Sequence, residues 1–240
     1  MNKDNLYIII PAYNEEETIE GVIRDWYKVV KKIGNKSKLV IIDDGSRDNT
    51  YEIASSLKKK YTNLVVLTKE NEGHGATLLY GYKYAIDNDA TYVFQTDSDG
   101  QTESLEFWDF WKLRRRYDAI IGKRNKRKDG ISRIFVTKVL KFVLLCIFHL
   151  SVEDANTPFR LINTRTLSKY YDLIPNKFNL SNVMLSVLLL KGKERVRFIP
   201  ITFKKRQGGV NSINFKKIIK IGRNAIKDFR VIKKSLKKVM

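Results

Sequence analysis

Four short apolar runs, LYIIIPAY (residues 6–13), KLVIIDDG (38–45), NLVVLTKE (63–70) and TYVFQTDSDG (91–100), each give way to polar or glycine-containing sequence. They are rich in β-branched and aromatic residues and predict strands. Between them, near 15–33, 48–60 and 75–88, apolar residues recur at helical spacing and predict helices. The strands read as continuous apolar runs rather than as alternation, the pattern of burial on both faces. With right-handed crossovers, that predicts an α/β fold with a mostly parallel central sheet and helices on both faces.

The second half is less regular. A strand is expected at Asp118–Gly122, followed by the basic run KRNKRK at 123–128 and a long amphipathic apolar region reaching Leu150. DANTPFRLINT (154–164) turns the chain back through Pro158, and a helix near 180–191 and a strand at Arg195–Ile201 precede a lysine-rich tail. Nothing before residue 213 has the composition of a linker. The expected organisation is one domain over 1–212, including the amphipathic region 131–150, and a basic amphipathic C-terminal helix over 213–240. The most apolar stretch, Ile134–Leu150, is interrupted by Lys138 and Lys141 and falls short of the roughly 20 apolar residues that a spanning helix needs. The first apolar run is too short for a signal-peptide core, so a cytoplasmic location is expected.

Ligands bind open α/β sheets at the carboxyl ends of the strands. Residues 11–15, Asp43–Ser46 and Asp97–Asp99 should therefore converge on one rim. Asp97 and Asp99, one residue apart, repel each other unless a cation lies between them, and hard oxygen donors suit Mg2+ or Mn2+. For Asp43 and Asp44 two readings stay open, ligand contact or turn and helix-cap chemistry. One cysteine, Cys146, and two histidines exclude an internal disulfide and a Cys/His zinc site.

A net charge of +20 and a pI near 9.9 demand an anionic partner: nucleic acid, anionic lipid or a phosphorylated substrate. Nucleic acid is disfavoured, because Tyr80, Tyr82 and Tyr84 fall on different faces of a helix and build no stacking platform.

PAYNEEETI at the first strand end, IIDDGSRDNT after the second, KENEGHGATLLYG after the third and TDSDGQ after the fourth together resemble the inverting family 2 glycosyltransferases, over roughly residues 6–212. The resemblance implies the GT-A nucleotide-binding fold, with Pro11, Tyr13, Glu15, Asp43 and Asp44 holding the base and ribose of a UDP- or GDP-linked sugar donor. It implies Asp97 and Asp99 as metal ligands, Gln101 as a further one, and Gly73, Gly75 and Gly81 as glycines of the loop under the donor. Arg206, with Gly208, Gly209 and Ser212, matches a mobile loop that clamps the diphosphate.

Within that family the second half is similar to polyprenyl-phosphate sugar synthases. Gly122-Lys123-Arg124 occupies the place of a GxR-like strand end, which puts Arg124 among the binding residues. The region 131–150 occupies the place of two amphipathic helices on the membrane, and Phe159-Arg160 that of an FR pair. Pro158 stands where those relatives often carry an acidic residue. A phosphate acceptor needs orientation rather than a base, since it is already anionic at neutral pH. Asp154 is the nearby carboxylate that could act as a base or position the acceptor. The expected activity is metal-dependent transfer of a sugar from a nucleotide sugar to a polyprenyl phosphate, with the protein peripheral on the anionic inner face of the cell membrane. The alternatives are transfer to a hydroxyl of a glycan and, in a different class, a basic nucleic-acid-binding module. For 131–150 and for the tail stripe of Phe215, Ile218, Ile219, Ile226, Phe229 and Leu236, packing on the domain is the alternative to the membrane.

Overall fold

The computed structural model describes residues 4–124 and 131–204, together with Phe229 and Lys233, and only the backbone over 131–137. Six strands run parallel: β1 (Leu6–Ala12), β2 (Lys38–Asp43), β3 (Leu64–Thr68), β4 (Tyr92–Gln95), β5 (Ala119–Arg124) and β7 (Val196–Ile201). The antiparallel β6 (Arg160–Asn163) is inserted between β4 and β5, giving a sheet order β3-β2-β1-β4-β6-β5-β7. The helices are α1 (Ile19–Ile33), α2 (Thr50–Ser56), α3 (His74–Asp87), α4 (Phe107–Leu113), α5 (Ile131–Phe148), α6 (Thr164–Tyr171) and α7 (Ser181–Lys191).

The double burial expected from the apolar runs is realised residue by residue. Leu6, Ile8, Ile10, Leu39 and Ile41 face a core shared with α1 and α4, while Tyr7, Ile9, Val40 and Ile42 face a second core shared with α3, α5 and α7. Each strand therefore spends both of its side-chain directions on burial. α1 lays Ile19, Val22, Ile23, Trp26, Val29, Val30 and Ile33 on the sheet at helical spacing and ends where Gly34 adopts φ 141°. Trp26, Phe94, Phe107, Phe110 and Phe159 pack ring against ring beneath α4.

α5 is a single helix whose inner side, Leu144 and Phe148 with Leu140, Val143 and Ile147, joins the second core. Its outer side is apolar too, with Val139, Phe142 and Leu145 exposed. Phe229, for which membrane surface and packing on the domain are the two readings, is fully buried against Phe148 and Phe178.

Two of the three glycines expected beneath the donor serve internal packing. A Cβ on Gly75 would stand 2.1 Å from the Phe178 carbonyl oxygen, and one on Gly81 would stand 2.4 Å from both Ile42 Cδ1 and Ile9 Cγ2. Gly75 thus lets α3 touch the backbone before α7. Gly75→Ala is expected to lower unfolding free energy by about 2–3 kcal/mol, because backbone must move to admit the methyl. Gly21→Ala on α1, where the nearest atom lies 3.8 Å away, should instead stabilise slightly. Urea denaturation of the two variants checks this, and equal midpoints would refute the packing account.

Candidate active site

Parallel strands put β1, β2, β3, β4 and β5 ends on one edge, and the antiparallel β6 presents its first residue, Arg160, at the same edge. The expected rim therefore exists, and its loops are laced together. Glu15 N donates to Thr50 Oγ1 at 2.8 Å, and Asn14, at φ 53°, donates from its amide to Ser46 Oγ at 3.0 Å. Thr18 Oγ1 donates to the Ser98 carbonyl at 2.8 Å and lies 3.2 Å from Glu15 Oε2. The first rim loop is thereby tied to both the Asp43 turn and the Asp97–Asp99 loop. Pro11 is buried in β1, whereas Tyr13 is 41% exposed and offers its ring at the rim.

The paired acidic residues at the second strand end do turn and loop chemistry. Asp43 accepts from Ser46 N at 3.2 Å and from Thr68 Oγ1 at 2.9 Å. Asp44 accepts from Lys69 Nζ at 2.8 Å, Glu72 N at 3.0 Å and Gly73 N at 2.9 Å, so it holds the loop that leads into α3. Burial pushes the Asp44 carboxyl up, but the Lys69 ammonium and the Glu72 amide outweigh it and leave it below the usual carboxylate value. Gly73, at φ 91°, turns its amide onto that carboxylate.

Asp97 and Asp99 lie at the end of β4 on a short loop, where Asp99 Oδ1 accepts from Gln101 N at 3.1 Å. His74, the first residue of α3, brings Nε2 to 3.8 Å from Asp97 Oδ1. Sequence reading passed over His74; the available signal was a polar residue between two loop glycines at the start of a helix aimed at the rim. A cleft of about 290 Å3 opens between the start of α1 and this loop, with Asp97, Arg24 and Lys204 on its walls. Among the described residues no group of three or more His, Cys, Asp or Glu is arranged to hold a metal. The donor set fits a hard cation that takes one or two carboxylates from the protein and completes its shell with phosphate oxygens and water.

Gln101 ties this loop to the strand exit from β7. Its Nε2 donates to the Lys204 carbonyl at 2.8 Å and its own carbonyl accepts from Lys204 N at 2.8 Å, while Lys204 Nζ pairs with Glu103. Thr202 N donates to both oxygens of Glu106 at 3.0 Å. The strand exit from β7 is thus bound along the Asp97–Glu106 loop. Arg206 and the glycines after it lie outside the described residues, as does most of the basic run after Arg124.

On the other side of the rim, Arg124 grips Asp154 in a bidentate pair, Nε to Oδ2 at 2.8 Å and Nη2 to Oδ1 at 2.7 Å, with both side chains about nine-tenths buried. Asp154 is therefore an ion-pair partner, not an exposed base at the rim. Arg160 departs further from expectation. It is fully buried, and its donors reach the carbonyls of Ala155, Thr157 and Asn182 and the hydroxyl of Ser186. Its guanidinium is held in the interior by the 155–157 turn and α7, so it offers no exposed donor to a ligand on the rim.

The model of glycosyl transferase family 2 matches residues 7–172. The UDP-N-acetylglucosamine--dolichyl-phosphate N-acetylglucosaminyltransferase of Methanococcus voltae is 34% identical over 82% of this chain and 84% of its own. The undecaprenyl-phosphate 4-deoxy-4-formamido-L-arabinose transferase of Pectobacterium atrosepticum is 24% identical over 77% of this chain, which spans 59% of that relative. Among solved structures, glucosyl-3-phosphoglycerate synthase from Mycobacterium tuberculosis, in complex with Mn2+, UDP-glucose and phosphoglyceric acid, superposes with a TM-score of 0.70. That match covers 96% of this chain and 80% of the other at 16% identity.

Proposed function

The chain belongs to glycosyl transferase family 2, and from that premise we propose that it transfers a sugar from a nucleotide sugar to a polyprenyl phosphate at a membrane surface. The observation that carries the acceptor is the outer side of α5. There Val139, Phe142 (67% exposed) and Leu145 stand among the exposed Lys138 and Lys141, on the helix that follows the Arg124 end of the rim. An apolar stripe set among lysines suits the boundary between anionic headgroups and acyl chains. The names of the two relatives, both lipid-phosphate transferases, support the same reading. No helix among the described residues is long and apolar enough to cross a membrane. The place proposed for the protein is the inner face of the cell membrane, held peripherally.

In this reading the donor lies across the rim, its base beside Tyr13 and Pro11 and its diphosphate beside Asp97 and Asp99. Asp97, Asp99 and the Gln101 side-chain oxygen would hold a divalent cation, Mg2+ or Mn2+, which would supply countercharge to the diphosphate. An oxygen of the acceptor phosphate forms the new bond to the anomeric carbon as the bond from that carbon to the diphosphate breaks, with inversion. The phosphate nucleophile carries no proton to be removed, so the chain needs to orient it rather than deprotonate it. Arg124 ends β5 at the rim, where its bidentate contact with Asp154 would fix it for orienting that phosphate.

Incubation with undecaprenyl or dolichyl phosphate and a panel of UDP- and GDP-sugars should yield a lipid whose mass rises by one sugar residue. Sugar appearing only on glycan hydroxyls would overturn the acceptor. Vesicle co-sedimentation tests the surface: the protein should bind anionic vesicles more strongly than zwitterionic ones. Phe142→Asp with Leu145→Asp should weaken that binding while leaving transfer to a short, water-soluble prenyl phosphate intact. Equal binding of the double variant would remove α5 from the membrane surface.

A further inference from the structure

Arg160 is a charge where a neutral donor would serve. Its hydrogen bonds all end on neutral oxygens, three backbone carbonyls and the Ser186 hydroxyl, and tie the 155–157 turn to α7. Burying a cation without a contacting carboxylate is costly, and burial accordingly lowers this guanidinium below its ordinary value. Asp154, the carboxylate closest in the chain, is already neutralised by its bidentate contact with Arg124. Arg160 pairs across the sheet with Gln95, two residues before Asp97, and Asp97 acts on it through space rather than by contact. The strand spacing puts its charge within roughly 10 Å of the metal-binding position.

We propose that Arg160 is a buried, non-contacting source of positive potential for the rim, one that favours the diphosphate of the donor over an uncharged ligand. The inference rests on the nucleotide-sugar reading above. At an effective dielectric constant near 20, one charge at about 10 Å acting on the diphosphate is worth on the order of tenfold in affinity or more. Because the charge is buried, salt screens it weakly.

The test compares binding of UDP with uridine and of GDP with guanosine in the presence of Mn2+. Arg160→Gln removes the charge, and Ser186→Asp leaves the arginine but sets a carboxylate against it. Each is expected to cut the diphosphate-to-nucleoside affinity ratio about tenfold, with the loss persisting at 0.5–1 M salt, whereas Arg160→Lys should keep the ratio even if thermal stability falls. A purely structural role would lower stability in these variants and leave the ratio alone. Ser186→Asp keeps the hydrogen-bonding arginine in place, so the question is answered even where Arg160→Gln does not fold. A wild-type ratio in either folded neutralised variant overturns the proposal. Failure of the wild-type protein to bind either diphosphate would overturn the nucleotide-sugar reading instead.

Discussion

Asp97→Asn and Asp99→Asn are each expected to abolish sugar transfer, with a loss on the order of 10³-fold or more, while the folded state survives. A carboxamide keeps the size of the side chain but withdraws the charge that, in the proposed reading, would hold a divalent cation, and such a cation would supply several kcal/mol of charge stabilisation. A carboxamide oxygen can still accept the hydrogen bond that Gln101 N gives to Asp99, so the fold should change little. The Asp97 side chain is only 27% exposed, and the isosteric carboxamide keeps that packing where a smaller residue would not. Product formation, thermal unfolding and Mn2+ binding by electron paramagnetic resonance together check the expectation. Undiminished wild-type turnover in EDTA would remove the cation, and with it the role given to this pair.

The opposite balance is expected at Asp154, where Asp154→Ala should cost stability first, by about 3–5 kcal/mol, since it strands the Arg124 guanidinium in a site where both partners are about nine-tenths buried. Replacing both partners with apolar residues, Arg124→Met with Asp154→Leu, should recover much of that loss, because a buried pair owes little net stability to its attraction once desolvation is counted. Urea midpoints of the two single variants and the double variant measure the coupling. If Asp154→Asn instead removed turnover at full stability and unchanged acceptor KM, the carboxylate would be acting as a base and the glycan-hydroxyl acceptor would regain its place.

Much of the fold was legible because local rules and the global sheet agree. Runs such as LYIIIPA and KLVIID cannot satisfy both faces except inside a two-sided sheet, and residues with that burial occupy β1 and β2. Other elements were not legible. β6 is four residues long, RLIN, and begins with an arginine, a residue type seldom fully buried. α4, FWDFWKL, is seven residues of mostly aromatic sequence whose helical state depends on ring packing beneath it. Short elements carry too little periodicity to declare themselves, and their pairing decides them.

The order of motifs along the chain, the placing of Asp97 and Asp99 at a strand end and the two-sided apolar runs were determined by sequence alone. They depend on spacing within one element, and secondary structure preserves such spacing. What each polar side chain faces was decided only by the tertiary structure. Asp44 turns to Lys69 and the Gly73 amide, Asp154 to Arg124, Gln101 to Lys204 and Arg160 to carbonyls before and within α7. Those partners lie from 3 to 103 residues away in the chain. A buried polar group must find whichever partner the folded chain brings beside it, and one-dimensional spacing does not record which partner that is.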